Sequence, residues 1–350
     1  MQIGSTQSGG NDTYTQPTST MNEYETTYYW AVNVSDGTCF VNNTYCFTTM
    51  LEPASWWNTD WLYRMTVTIN DSMVSGSDSL VNFPVLVDII DSNLSKALSN
   101  GDDFVFTDYA GMLLHHEIEY FDQSSGHLVA WVNVTSLFHN QDTVLYLYYG
   151  NSESGSMQNP AGVWDDNYLA VWHLNETCAG NSGTHVDSTG NGNDGTTGGS
   201  VTTSASGQID GADEFSGGTD HIDTSTINPD QITVEAWVKS DSFDSSHADI
   251  LCNWYYADTN NQAFMLFYYG DNEKIEFWVR NSSGSIATVS GIFPPSTNTW
   301  YHLVGTYDGN ITEFFIDGNS MGTDSYISGI LGDSNANMYI GNRQGNIGFL

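Results

Sequence analysis

Basic residues are scarce in this chain of 350 residues. Six lysines and arginines stand against 42 aspartates and glutamates, which gives a formal charge of −36 at pH 7. A protein that binds nucleic acid needs several Lys or Arg side chains set against phosphates, and docking on anionic lipid needs a similar basic surface. The composition therefore excludes nucleic acid as a partner and argues against binding to anionic lipid.

Long apolar runs and regular helical patterns are lacking as well. No stretch approaches the roughly 18 apolar residues of a membrane span, and residues 1–5 lack the features of a signal peptide. Seven prolines and 34 glycines exclude a collagen-like or low-complexity chain. No segment sustains an apolar period of 3.6 residues long enough for a substantial helix. We therefore expect no membrane insertion and no helical domain within this sequence.

Aromatic residues, in contrast, are abundant. The chain holds 11 Trp, 20 Tyr and 16 Phe, and 39% of its residues are hydrophobic, so it can bury sizeable cores. Thirty of the 42 acidic residues are Asp, which favours turns, and 12 are Glu. Short β-branched and aromatic segments alternate with turns rich in Gly, Asn, Asp and Ser. This pattern predicts an all-β fold of tandem antiparallel β-sandwiches.

The first 52 residues fall into two parts. Residues 1–23 are rich in Ser, Thr and Gly and predict a flexible lead-in. Residues 24–52 predict two strands separated by a turn region at Asp36-Gly37. These two strands resemble the end of a fibronectin type III-like module. The resemblance implies that the other strands of that module would precede this sequence.

Cysteines and glycosylation sequons favour an oxidising, extracellular setting. If Asn42-Asn43 forms a two-residue hairpin turn, Cys39 lies opposite Cys46, within disulfide range. Cys178 and Cys252 can pair only through the tertiary fold. Asn-x-Ser/Thr sequons permit glycosylation without demonstrating it, and they begin at Asn11, Asn33, Asn42, Asn70, Asn93, Asn133, Asn175, Asn281 and Asn310.

A second unit covers residues 53–151. Three tryptophans at 56, 57 and 61 predict an aromatic plug on an edge strand, and Arg64 beside them predicts an ion pair or a cation–π contact. The unit resembles the uncharacterised all-β domain that precedes laminin-G-like modules in many archaeal and bacterial surface proteins. The matching pieces are Trp61–Arg64, Gly101–Phe106, Ala130–Val132 and Tyr148–Asn151. No activity is established for that family, so the resemblance implies architecture only.

Residues 152–163 predict a linker to a third unit, residues 164–350. Val171–Leu174 predicts a strand, and Thr233–Lys239 alternates so that Glu235, Trp237 and Lys239 share one face. The order of Trp300–Gly309, Ile316–Gly318 and Ile340–Gly341 resembles a concanavalin A-like (laminin-G-like) jelly roll. In that family a further strand follows, so we expect a missing strand and association with another chain through the open sheet edge.

Catalytic motifs are weak. Concanavalin-like folds include glycosidases, but their Glu-x-Asp-x-x-Glu signature is absent from residues 164–350. Glu117 and Glu119 share a strand face in the other sandwich, where a solvated strand face is the alternative interpretation. His115 and His116 are adjacent and would point to opposite faces of a strand, so they cannot easily share a zinc ion. The sequence therefore predicts a protein without catalytic activity.

Two loops are candidate binding sites. Asp187, Asn191, Asn193 and Asp194 offer oxygen ligands, and many laminin-G-like domains bind calcium at a sandwich rim; an ordinary Asn/Gly turn is the alternative. For a glycan ligand the best loop candidate holds consecutive aromatic residues, which cannot all point into the core. Its residues are Trp254, Tyr255, Tyr256, Asp258, Asn260 and Asn261.

These observations predict a secreted or surface-anchored recognition or adhesion protein that binds glycans or protein partners. A structural spacer or filament subunit with strand-complemented sandwiches is the alternative, and a glycoside hydrolase is the third. Calcium is the one cofactor that the sequence suggests. A signal peptide and an anchoring device are expected outside this sequence.

Overall fold

The computed structural model describes residues 27–35, 38, 40–48, 56–176, 184–204, 206–216, 218–242, 247–255, 261–270, 274–292 and 296–341. Within these ranges the regular structure consists almost entirely of antiparallel strands, with one short α-helix, α1 (Pro160–Val163). The predicted all-β class is confirmed. None of the helices in the described ranges is long and apolar enough to span a membrane.

A two-stranded hairpin precedes the sandwiches. Strand β1 (Thr27–Ser35) pairs with β2 (Phe40–Thr48), and Ser35 lies opposite Phe40. The predicted Asp36-Gly37 turn lies between these two strands, outside the described residues. The resemblance of this hairpin to a fibronectin type III-like module stays a prediction.

The turn predicted at Asn42-Asn43 is wrong. Both residues lie inside β2, where Asn42 pairs with Asn33, because the nine-residue ladder continues through them. Cys46 lies opposite Tyr29 on β1 and is exposed. The geometric basis for placing Cys39 opposite Cys46 is lost with the turn, and Cys39 itself lies outside the described residues.

The first sandwich lies within residues 63–149 and consists of two facing antiparallel sheets. The four-stranded sheet runs in the order β3 (Tyr63–Ile69), β9 (Thr143–Tyr149), β5 (Val105–Asp108) and β6 (Leu113–Leu114). The three-stranded sheet runs in the order β4 (Phe83–Ile90), β8 (His127–Val134) and β7 (His116–Asp122). Their inner faces bury a core that includes Phe104, Phe106, Leu128 and Leu147.

The predicted aromatic plug covers the outer face of the four-stranded sheet. Trp57 and Trp61 make an edge contact with ring centroids 4.9 Å apart, and both belong to a cluster with Tyr148. The guanidinium carbon of Arg64 lies 4.4 Å from the ring centroid of Tyr146 and 5.1 Å from that of Trp56. The predicted cation–π contact of Arg64 is confirmed, and the cation is a structural element of this cluster.

The second sandwich lies within residues 184–341. Its larger sheet runs in the order β10 (Thr184–His185), β11 (Gly195–Gly198), β14 (His221–Asp223), β23 (Tyr339–Gly341), β16 (Ala248–Trp254), β17 (Gln262–Tyr269), β18 (Lys274–Arg280) and β19 (Ile286–Ile292). The smaller sheet runs in the order β15 (Ile232–Val238), β20 (Tyr301–Tyr307), β21 (Thr312–Ile316) and β22 (Asn319–Asp324). A small ribbon pairs β12 (Thr202–Ser204) with β13 (Ala212–Glu214).

The strand predictions fail in a few places. Val171–Leu174 forms no strand, because Leu174 has a positive φ of 55° and the segment bonds to a loop rather than to a neighbouring strand. Strands β6, β10, β11, β12, β16, β19 and β22 were not predicted. The alternation predicted for Thr233–Lys239 is confirmed, since Val234 is buried and Trp237 is exposed.

The two sheets of the second sandwich approach closely at Gly305 on β20. A Cβ atom at this position would lie 2.5 Å from two ring carbons of Phe277, which is fully buried on the facing sheet. Real Cβ contacts are never this short, so the glycine is required by sheet-to-sheet packing rather than by its backbone angles.

One histidine lies inside the first core. His116 is 1% exposed beside the ring of Phe106, whereas its neighbour His115 is exposed, so the two imidazoles point to opposite faces as predicted. Burial lowers the pKa of His116 to about 4, and the charge of His115 lowers it to a smaller extent. The folded protein therefore holds this imidazole neutral at mildly acidic pH.

Gly305→Ala should lower the stability of the second sandwich by about 1–3 kcal/mol, because the new methyl group collides with Phe277. The loss should shrink when Phe277 is replaced by Leu, which leaves room for the methyl group. A double-mutant cycle in thermal unfolding measures this coupling. Equal losses in both backgrounds would contradict the close approach.

His116→Leu should make the protein less sensitive to acid. The unfolded chain takes up this proton near pH 6.5 and the folded chain only near pH 4, so the wild type loses on the order of 2–3 kcal/mol between these values. Denaturant unfolding at pH 7 and pH 4.5 measures the difference. His115→Leu, at the exposed neighbour, is the matched control and should retain the wild-type acid sensitivity.

Candidate functional site

The larger sheet of the second sandwich has two chemically distinct faces. Phe264 and Leu266 on β17 face the core, whereas the alternate residues Met265 and Phe267 face the other way. The outward side gathers aromatic residues from four neighbouring strands. We call this surface the aromatic face, and its rings are Trp254, Phe267, Tyr269, Trp278 and Tyr339.

The rings of the aromatic face fix one another by edge contacts. Trp278 meets Phe267 at 5.3 Å and an interplanar angle of 85°, and it meets Trp254 at 6.0 Å and 73°. The imidazole of His247 stacks on Phe267 with centroids 4.6 Å apart. Trp254 and Phe267 are buried, whereas Trp278 is half-buried.

Polar groups stand among these rings. Glu276 lies opposite Phe267 in the sheet; one of its carboxylate oxygens accepts from the Trp278 indole N–H at 2.9 Å and the other from the Ser290 hydroxyl at 2.8 Å. Asp249, on the other side of Phe267, lies 2.9 Å from Nε2 of His247. Glu276 and Asp249 are 6% and 1% exposed, so both carboxylates are held in place next to the half-buried ring of Trp278.

Tyr339 and Lys274 add a hydroxyl and an ammonium group to this surface. Burial raises the pKa of the Tyr339 hydroxyl, and the nearby Asp223 carboxylate raises it further, so the hydroxyl stays protonated at neutral pH. Lys274 lies on β18 opposite Tyr269 and is half-buried. The aromatic face thus offers a flat ring with both donors and acceptors around it.

The predicted ligand loop overlaps this face at one residue. Trp254 ends β16 and is 3% exposed within the aromatic face, whereas Tyr255 is 43% exposed. Asn261 accepts from the Asn335 backbone N–H at 2.9 Å. The other members of the predicted set, Tyr256, Asp258 and Asn260, lie outside the described residues.

Residues central to the aromatic face were missed from the sequence. The sequence did not predict Trp278, Glu276 or Asp249 as site residues. The available signal was the alternation within Ile275–Val279, which places Glu276 and Trp278 on the same side of β18.

The predicted calcium loop is organised around one buried aspartate. The carboxylate of Asp187 accepts from the backbone N–H groups of Val171, Thr189 and Asn193 at 2.9–3.0 Å and from the Thr189 hydroxyl at 2.8 Å. Asp194 in turn accepts from the Asp187 backbone N–H at 2.9 Å. These carboxylates hold the loop together through protein donors.

The side-chain amides of Asn191 and Asn193 bond outside this loop. Asn191 and Asn193 donate their amide N–H groups to the Leu169 carbonyl at 3.2 and 2.7 Å. They line a cleft of about 290 Å³ together with Leu169, Thr226, Ile227, Asn228 and Pro229. In the part of the chain that the structure describes, no group of three or more His, Cys, Asp and Glu residues is placed to hold a metal ion. Calcium binding by this protein stays a prediction.

Glu117 and Glu119 do share a face, as predicted, but they are buried. Glu117 accepts from the Ser188 hydroxyl at 2.6 Å and from the Trp164 indole at 3.1 Å. Glu119 accepts from the Trp131 indole at 3.2 Å. Protein donors occupy these carboxylates, so the geometry does not favour them as a glycosidase pair.

The predicted glycosylation sequons differ in how deeply their asparagines are buried. Asn42, Asn70, Asn93, Asn175 and Asn310 are exposed. Asn133 and Asn281 are 8% and 6% exposed and donate to the carbonyls of Val163 and Ser328, so the folded chain shields their amides from glycosylation. Asn33 lies in β1, and Asn11 lies outside the described residues. Cys252 is buried in β16, and its predicted partner Cys178 lies outside the described residues.

Two family models match separate parts of the chain. Residues 216–350 match the concanavalin A-like lectin/glucanases superfamily, and residues 100–185 match a domain of unknown function, DUF2341. Of the three resemblances predicted from the sequence, those of the second and third units are thereby confirmed for these segments, and the second sandwich is concanavalin A-like. A search of the curated proteins found no match.

Solved structures show distant similarity. Domain 4 of AbnA, an extracellular arabinanase from Geobacillus stearothermophilus in complex with arabinotriose, is 18% identical, with 47% of this chain and 80% of that chain covered and a TM-score of 0.35. A putative carbohydrate-binding protein from Bacteroides ovatus is 16% identical, with 78% and 73% covered and a TM-score of 0.30. Domains LG4-5 of the mouse laminin alpha1 chain are 11% identical, with 81% and 75% covered and a TM-score of 0.25. We therefore infer function from the side chains of this chain.

Asp187→Asn should destabilise the second sandwich by about 2–3 kcal/mol, because the amide replaces one acceptor oxygen of a buried charged cluster. The loss should be the same with calcium and with a chelator. Thermal unfolding of the variant under both conditions measures it, and Asp166→Asn at an exposed position is the control. A loss confined to calcium-containing buffer would instead support the calcium loop.

Proposed function

We propose that the second sandwich binds glycans through the aromatic face, without catalysis. The observation that carries this proposal is the half-buried Trp278, whose indole N–H is fixed by Glu276 and whose ring is fixed by Phe267 and Trp254. A sugar ring has an apolar C–H side that stacks on such an indole, while its hydroxyls bond to nearby carboxylates and hydroxyls.

Preorganisation of the face supports recognition. The edge contacts and the two hydrogen bonds of Glu276 hold the binding groups before a ligand arrives, so little side-chain entropy is lost on binding. The face is built on sheet strands rather than on a loop, which further restricts its movement.

A glycoside hydrolase is the second candidate, since two carboxylates flank Phe267. Asp249 and Glu276 lie on strands that are separated by one strand, about 10 Å apart at Cα. Both carboxylates already have partners within the protein, His247 for Asp249, and Trp278 and Ser290 for Glu276. We therefore favour binding, and the release of reducing sugar from a bound glycan would instead support hydrolysis.

We place the protein outside the cell or on its surface, as a recognition or adhesion protein. Exposed sequons at Asn42, Asn70, Asn93 and Asn310 are compatible with that setting. Protein partners and self-association through sheet edges belong to the same proposal. Calcium would enter as a structural cofactor if the chelator experiment on the Asp187 loop shows it.

Trp278→Ala should weaken glycan binding at least about tenfold, because aromatic anchors of this kind contribute more than about 1.4 kcal/mol to affinity. Binding can be screened on a glycan array and quantified by calorimetry with the glycans that bind. Circular dichroism should confirm that the variant is folded.

Trp237→Ala is the matched control. Trp237 is 42% exposed on the outward face of the smaller sheet, where it stacks on His302 at 5.0 Å. This variant removes the same side chain from the opposite side of the sandwich and should bind like the wild type. If Trp237→Ala loses binding and Trp278→Ala retains it, the aromatic face is not the binding surface.

A further inference from the structure

The chain between the two sandwiches is attached to the first one. The end of the segment 152–163, predicted as a linker, runs along the edge of β7 and reaches the outer face of β8. Gln158 accepts from the Ile118 backbone N–H at 2.7 Å, and the Asn159 backbone N–H donates to the His116 carbonyl at 2.9 Å. Asn133 donates to the Val163 carbonyl at 2.9 Å. This part of the chain is therefore fixed to the sheet.

The next residues are attached to the second sandwich. The Val171 backbone donates to Asp187 at 3.0 Å and accepts from the Ser188 backbone N–H at 2.9 Å. The indole of Trp172 donates to the Asn193 carbonyl at 3.0 Å, and its ring packs against the second core. The chain thus passes from one sandwich to the other within about ten residues, with contacts to both.

A buried ionic cluster lies where the two sandwiches meet. His173 follows Trp172 but points to the first sandwich, where its Nδ1 lies 2.6 Å from a Glu119 oxygen and its Nε2 lies 3.1 Å from a Glu117 oxygen. The side chains of His173, Glu117 and Glu119 are 13%, 11% and 3% exposed. We call these three residues the junction cluster.

Donors from both sides complete the junction cluster. Trp131 of the first sandwich donates to Glu119, and Trp164 of the connecting chain donates to Glu117. Ser188, from the loop between β10 and β11, donates its hydroxyl to Glu117 at 2.6 Å. Glu117 therefore receives hydrogen bonds from the connecting chain and from the second sandwich at once.

The charges of this cluster depend on one another. Burial by itself lowers the pKa of His173, but the hydrogen bonds and charges of Glu117 and Glu119 outweigh burial and raise this pKa to about 10. The same contacts with His173, together with those of Ser188 and Trp164, lower the pKa of Glu117 against the effect of burial. At neutral pH an imidazolium thus lies between two carboxylates, and removing it would leave buried charges uncompensated.

We propose that the outer face of the β4-β8-β7 sheet is a docking surface for the following sandwich, closed by the junction cluster. The segment that docks on it is the connecting chain, which contributes Trp164 and His173. Ser188 of the second sandwich adds a further contact. The consequence is a rigid unit in which the first sandwich presents the second at a fixed orientation. The part of the chain that matches the uncharacterised family model, residues 100–185, includes Glu117, Glu119, Trp164 and His173.

The test is the substitution His173→Gln in the full chain, which leaves two buried carboxylates without their cation. Calorimetry of the wild type should show the two sandwiches unfolding in one coupled transition. The variant should show separate transitions, with the first lowered by at least about 5 °C. Small-angle scattering at neutral pH should show a longer maximum dimension for the variant, while binding at the aromatic face is retained.

His139→Gln is the matched control. His139 also belongs to the first sandwich, where its Nδ1 lies 3.3 Å from the exposed Ser79 hydroxyl, so its loss should change neither the transitions nor the scattering. If His173→Gln fails to fold, the triple variant with Glu117→Gln and Glu119→Gln removes the uncompensated charges. This variant should fold and show separate transitions.

Two results would overturn the proposal. One is a wild-type chain whose sandwiches already unfold independently. The other is a folded His173 variant that keeps both the single transition and the wild-type scattering profile. Neither result depends on whether the aromatic face binds glycans, so the two proposals fail separately.

Discussion

Side chains alternate along each strand, and this two-residue period decides which groups of the second sandwich are buried and which face a ligand. On β18, Ile275 and Phe277 enter the core while Glu276 and Trp278 face outward. Gly305 shows how tightly the inner faces meet, since even a methyl group there would collide with Phe277. This packing also fixes the positions of the outward side chains, because a strand whose inward residues are held in the core cannot slide along its neighbours.

Aspartate gives the loops their order. Asp103 is fully buried and accepts from the backbone N–H groups of Leu98 at 2.8 Å and Gly150 at 2.6 Å. Asp220 does the same for Ser200 and Ser216, and Asp187 for the loop that was predicted to bind calcium. The excess of Asp over Glu thus reflects turns that short carboxylates satisfy from within. An acidic sequence motif in such a chain is weak support for a metal site.

Histidine supplies positive charge that the composition lacks. The chain has few lysines and arginines, and of these Arg64, Lys96 and Lys239 lie over aromatic rings. Buried carboxylates need a cation nearby, and at the junction cluster that cation is His173. His116, without such a partner in the described structure, is held neutral instead. Histidine is therefore neutral on one side of this sheet, at His116, and positively charged on the other side, at His173.

The sequence by itself determined the all-β class, most strand positions, two of the three family resemblances and the buried side of Thr233–Lys239. These follow from composition and from a period that is visible within five to seven residues. Only the tertiary structure decided that Trp254, Phe267 and Trp278 meet on one surface, and that His173 reaches Glu117 and Glu119. Strand register and sandwich docking bring together residues far apart in the chain, and no local pattern encodes which partner a strand or a charge will find.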